Sequence, residues 1–123
     1  MTARDVYELA LALIDAAQTD SGANTEDYAD KAPQIIDVLQ RELAFYEDAM
    51  LTGRITSLDD VLEISDDTAA RVMPYGLAAA FALADKNTDM QSDYSYLYRS
   101  MIRTIRTNEA DTADEYGVLR GMS

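Results

Sequence analysis

The sequence contains no cysteine and no histidine. Disulfides, thiolate nucleophiles, the common zinc sites and every triad that uses imidazole as its base are thereby excluded. Chemistry is left to carboxylates, tyrosine, lysine or serine, so a binding or structural role is expected rather than an enzyme, and no cofactor. Basic residues are also few, ten against 23 acids, for a net charge of −13. A field of that sign repels phosphate, which argues against sequence-reading contact with DNA or RNA and against anionic membranes. Long apolar runs are missing too. The longest low-charge stretch, Val72 to Ala84, is shorter than the roughly 20 residues of a membrane span. The first residues, Met1 to Asp5, lack a basic segment leading into an apolar one. A soluble protein of a reducing cytoplasm, or one released from it by lysis, is expected.

What is present fits one domain. A chain of 123 residues can bury about two-thirds of its unfolded surface without staples. Its charge is unevenly spread: residues 1–67 carry sixteen acids and four bases, residues 68–123 seven and six. Such asymmetry suits copies that attach acidic face to neutral or basic face; plain solubility is the competing explanation.

The spacing predicts an all-α protein, a compact bundle of four to five helices over 1–107 followed by an extended arm over 108–123. Thr2 with Asp5 is an approximate capping box for a first helix. Val6, Ala10, Leu13 and Ala17 form its apolar face, widened by Leu9, Leu11 and Ile14. Gln18 to Asn24 reads as a loop. Thr25, Glu26 and Asp27 open a second helix whose face is Tyr28, Ala32, Ile35, Leu39, Leu43, Tyr46 and Met50. Pro33 either kinks that helix or starts a longer one. Near 52–64 the rhythm breaks. Ile55–Leu58 and Val61–Ile64 around Asp59-Asp60 suggest a hairpin, with a long loop and a helical turn from Ser57 as the competing reading.

Ser65, Asp66 and Asp67 cap a third helix that is apolar nearly all round and therefore central. Gly76, Ala80 and Ala84 form a small-residue row on it, and Pro74 either kinks or begins it. Asn87 marks a stop and restart. The last helix carries Met90, Tyr94, Leu97, Met101 and Ile105 on one face and Arg99, Arg103 and Arg106 on another line. Tyr94 is expected in the core, with Tyr96 and Tyr98 more exposed and suited to protein contact or to the core edge. The arginines are expected to pair with acids of the first half, within the chain or on a neighbour. The tail, acidic and then apolar at Tyr116, Gly117, Val118 and Leu119, reads as an arm that docks on a partner, or as a frayed terminus. The aspartate pairs 59–60 and 66–67 read as turn and cap residues rather than metal ligands.

Arg54 to Asp67, Val72-Met-Pro-Tyr-Gly-Leu-Ala-Ala and Tyr98-Arg-Ser-Met-Ile-Arg resemble the small head–tail connector (adaptor, head-completion) proteins of tailed bacteriophages and prophages. The resemblance runs from the first helix to Asp114-Glu-Tyr-Gly and rests on structural motifs, not catalytic ones. It implies a helical bundle with a central excursion and an extended terminal segment. It also implies a homo-oligomeric ring beneath the portal protein, at the head–tail junction of the virion after assembly in the host cytoplasm. The partners so implied are further copies, the portal and, beyond them, a tail completion protein, with DNA passing non-specifically through the bore. Asp59 and Asp60 would then face the bore or the portal, and Tyr116 to Leu119 would clasp a neighbour. Tyr96, Arg99, Arg103 and Arg106 complete the candidate interface. Two other classes stay open: an acidic regulator or DNA mimic that fills a basic partner's groove, and a small enzyme using a carboxylate and a tyrosine.

Overall fold

The computed structural model describes residues 1–17 and 25–105, with side chains at 1–14 and 28–105. Five helices follow one another: α1 (Ala3–Ala17), α2 (Thr25–Glu47), α3 (Asp66–Arg71), α4 (Met73–Ala84) and α5 (Thr88–Ile102). The protein is an all-α bundle with an irregular excursion between α2 and α3. The expected arm over 108–123, with Tyr116, Gly117, Val118 and Leu119, lies outside the described residues, as do Arg106 and the loop 18–24.

The helix starts follow local chemistry. Thr2 Oγ1 accepts from the Asp5 amide at 3.3 Å while Asp5 accepts from the Thr2 amide at 2.9 Å, a reciprocal capping box. Ser65 Oγ accepts from the Thr68 amide at the start of α3, and Asn87 accepts from the Met90 amide at the start of α5. Pro74 stands in the first turn of α4, where its missing N–H costs nothing. Of the two readings of Pro74 the second holds: it marks the start of the long apolar helix, and the short α3 capped by Ser65 is separated from it at Val72. Pro33, in contrast, lies inside a single α2.

Two helix ends had no glycine to announce them. Asp48 and Lys86 adopt left-handed φ values of 57° and 58°. The Ala49 and Asn87 amides reach back to the Ala44 and Ala82 carbonyls, both at 2.9 Å. α2 thus stops at Glu47, and Met50, expected on its buried face, is 92% exposed.

α4 packs against all four other helices. Met73, Leu77, Ala78 and Phe81 are buried on it, as an all-apolar helix requires. Phe81 stacks on Tyr28 with centroids 4.3 Å apart and meets Tyr7 edge-on at 6.2 Å. The small-residue row is used at one position. Gly76 is buried beneath Tyr98, whereas Ala84 is exposed. On α1, Leu9 is 40% exposed and does not widen the buried face. On α2 the innermost isoleucine is Ile36, with Ile35 half-buried, and Tyr46 lies at the surface.

The excursion is not a hairpin. A two-residue hairpin turn needs left-handed φ, and neither Asp59 nor Asp60 has it. Instead Asp60 Oδ2 accepts from the Thr56 and Ser57 amides at 2.8 and 3.1 Å, curling the segment into one turn from Ser57. Val61 pairs with Thr2 rather than with Ile55–Leu58. The Ala3 and Arg4 amides donate to the Asp60 and Leu58 carbonyls at 2.9 and 2.8 Å, so the chain start fastens this turn.

Candidate protein-interaction site

Three polar side chains on the inner flank of α2 hold the excursion in place. Asp37 Oδ1 accepts from the Ile55 amide at 2.9 Å, and Gln40 Oε1 from the Glu63 amide at 2.6 Å. Glu47 accepts from the Ser65 amide at 3.1 Å and from Ser65 Oγ at 2.6 Å. All three are buried, and each accepts from backbone or cap groups of the excursion, of which the Ile55 amide is itself buried away from water. Glu63 closes the upper part by accepting from the Thr52 and Gly53 amides at 2.7 and 3.0 Å. Burial alone would raise the Asp37 pKa. The Ile55 amide, then Arg41 and Arg54, outweigh it and hold the carboxyl below its ordinary value. Asp60 is held down by the Thr56 and Ser57 amides, and Glu63 by Thr52.

That network changes the role of one expected interface residue. Asp60 is half-buried and occupied in building its turn. Asp59 is exposed and ion-paired with Arg4 at 2.9 Å. Asp59 thus stays at the surface, while the Asp60 carboxylate is committed to the turn. Asp66 and Asp67 are likewise engaged, with the Met1 ammonium and with Arg71, each at 3.0 Å. Among the described residues no group of three acids gathers to hold a metal.

On α5 the tyrosines separate. Tyr94 is buried, and its hydroxyl donates to the Leu13 carbonyl at 2.8 Å. Tyr98, expected more exposed, is buried as well. It sits one turn from Tyr94 on the same face, and its hydroxyl bonds Glu42. Burial, then that carboxylate, push its phenol far above the ordinary range. Tyr96 is 71% exposed. Arg99 and Arg103 are exposed on the same side, and among the described residues neither has an ion-pair partner. The expected pairing with acids of the first half therefore does not occur within the described chain. The structure brings Tyr96, Arg99 and Arg103 together along one shallow depression and leaves Asp59 and Asp60 at the end of the fold held by the chain start.

A second exposed surface was not anticipated. Val38 and Phe45, seven residues apart on one side of α2, are 63% and 80% exposed. Tyr46 meets Phe45 edge-on at 5.4 Å. The signal was present in the pattern, since both residues fall outside the periodic apolar face of α2. Between α2, α4 and α5 runs an open groove of about 420 Å³ lined by Leu39, Glu42, Tyr46, Leu83, Arg99 and Ile102.

Comparison with protein-family profiles, with curated proteins and with solved structures finds no match for this chain.

Proposed function

We propose that this protein is a structural assembly component, a head–tail connector that joins further copies of itself beneath a phage portal, and not an enzyme. The observation that carries the reading is the exposed apolar side of α2. Val38 and Phe45 face solvent beside Arg41 on a bundle whose net charge of −13 otherwise keeps it soluble. Large apolar side chains left in water on a small domain mark a surface that a partner covers. Phe45, flanked by Tyr46, has the character of an anchor in such a contact.

The excursion supports the same reading. It is a loop fixed at both ends to the bundle, so it offers a preformed contact surface at little ordering cost on binding. A carboxylate enzyme, by comparison, needs an acid with a raised pKa. Every described carboxylate whose pKa departs from its ordinary value is instead held down.

The test is association of the full chain with purified portal protein, by analytical ultracentrifugation at low and physiological salt. Complex formation that is lost in Phe45→Asp supports the proposal. No association at micromolar concentrations overturns it. Tight, salt-sensitive capture of an unrelated basic DNA-binding protein in its place favours the DNA-mimic alternative.

A further inference from the structure

The outward face of α5 is a charge palindrome. Asp89 and Asp93 precede Tyr96, and Arg99 and Arg103 follow it, all five exposed. Their separations mirror one another: Asp93 and Arg99 each lie three residues from Tyr96, and Asp89 and Arg103 each lie seven. Ser92 and Ser100, four residues to either side, leave room beside the exposed Tyr96 ring. None of the four charged residues has an ion-pair partner among the described residues.

We infer that this face docks a second copy of the same chain, α5 against α5 in antiparallel, with the two copies' Tyr96 side chains flanking the two-fold axis. Reversing the direction of a helix about Tyr96 exchanges acid for base at every charged position. Each copy's Asp93 then lies level with the other's Arg99, and each Asp89 with the other's Arg103. At 1.5 Å per residue these levels lie about 4.5 and 10.5 Å from the axis, the outer one reaching Arg103, the C-cap of α5, whose backbone is still right-handed helical. A parallel pairing would set like charge against like. The two serines allow the helix axes to approach to about 8–10 Å, a distance an arginine side chain spans with ease. The positions 89, 93, 96, 100 and 103 step by four and three, the rhythm of a two-helix seam.

Such a contact is isologous, so it closes at two copies. It does not rest on the connector reading, whose apolar row lies on α2. Its ion pairs are exposed and therefore individually weak and sensitive to salt. Two copies of net charge −13 also repel one another over long range. The dimer is therefore expected at high concentration and at about 100 mM salt, where screening over about 10 Å weakens that repulsion more than it weakens pairs in contact.

The test uses the full chain and two variants, one with Asp89→Arg and Asp93→Arg, the other with Arg99→Asp and Arg103→Asp. Mass is followed by light scattering up to about 500 µM protein at about 100 mM salt, where repulsion between the two acidic copies is screened beyond about 10 Å. The unaltered chain should approach twice its 13.6 kDa. Each variant alone should stay monomeric, because its α5 face then carries one sign of charge. Mixed one to one, the two should form a heterodimer that about 300 mM salt dissociates. Circular dichroism of each variant verifies its helix content, and the mixture supplies a positive signal even if one variant is less stable. A wild-type monomer under these conditions overturns the inference. So does a dimer that survives either charge reversal, or a mixture that fails to pair while both variants are folded.

Discussion

Gly76 on α4 lies beneath the ring of Tyr98 on α5, so close that a methyl group at its Cα would stand 2.8 Å from Tyr98 Cε1 and 3.0 Å from Leu39 Cδ2. The ring has little room to retreat, because its hydroxyl is bonded to Glu42. Gly76→Ala gains about 1 kcal/mol of helix propensity. It is set against an overpacking cost of about 1–3 kcal/mol. A net loss of stability is expected in urea unfolding, and it should shrink when Tyr98→Leu is made in the same chain.

The clasp on the excursion should depend on the acceptors of α2 individually. Glu47→Ala removes the acceptor of the Ser65 amide and hydroxyl at the start of α3. Ser65 is itself exposed, so a loss of about 0.5–1.5 kcal/mol, that of an ordinary hydrogen bond, follows. Glu47→Gln keeps an acceptor and should lose less. Amide exchange at Ser65 and Thr68 reads the local effect. If it stays unchanged while global stability falls, Glu47 supports something other than the cap.

Acid should loosen the same segment. Asp37, Asp60 and Glu63 have folded pKa values below their ordinary ones. The unfolded chain therefore takes up protons first as pH falls. The stability these groups supply is complete above about pH 5 and declines as pH drops from about 4 through their lowered values. The amide resonances of Thr52, Ile55 and Thr56 should shift together in that range. The melting temperature should fall with them.

Phe45→Asp should leave the fold intact. The side chain is 80% exposed, and a surface change of this kind costs within about 0.5 kcal/mol. Phe81→Ala, on the same scale, removes the ring stacked between Tyr28 and Tyr7 and should cost about 3–5 kcal/mol. Thermal unfolding distinguishes a residue kept for binding from one kept for packing.

The helices were legible because their signals are local. Thr2, Ser65 and Asn87 cap where their types predict, and the apolar character of Met73–Ala84 places α4 at the centre. The break between α4 and α5 was legible at Asn87, but the end of α2 at Asp48 was not, since a left-handed residue that is neither glycine nor asparagine leaves no mark in composition. Of the two readings of the excursion, the loop with a turn from Ser57 holds over the hairpin, because the Asp60 carboxylate accepts from the Thr56 and Ser57 amides, an option that alternation of apolar residues does not report. Tyr98 was misplaced although it stands four residues from Tyr94 on the same side of α5. What the sequence did not show is the room for its ring, which comes from Gly76 on another helix. The α5 face was legible only in part: Tyr96, Arg99 and Arg103 were picked out by type, but the two aspartates that complete their symmetry need the helix to line them up.

The all-apolar α4 has a consequence for the chain before it folds. Met73 to Ala84 is twelve residues without a charge, and in a nascent polypeptide it is the segment most exposed to capture by chaperones or by other unfolded chains. Its flanks carry the countermeasure. Asp66, Asp67 and Arg71 stand on one side and Asp85 and Lys86 on the other, a gatekeeper arrangement that discourages stacking of such segments. Neutralising both flanks should therefore lower the yield of soluble protein during expression far more than it lowers the stability of what has folded.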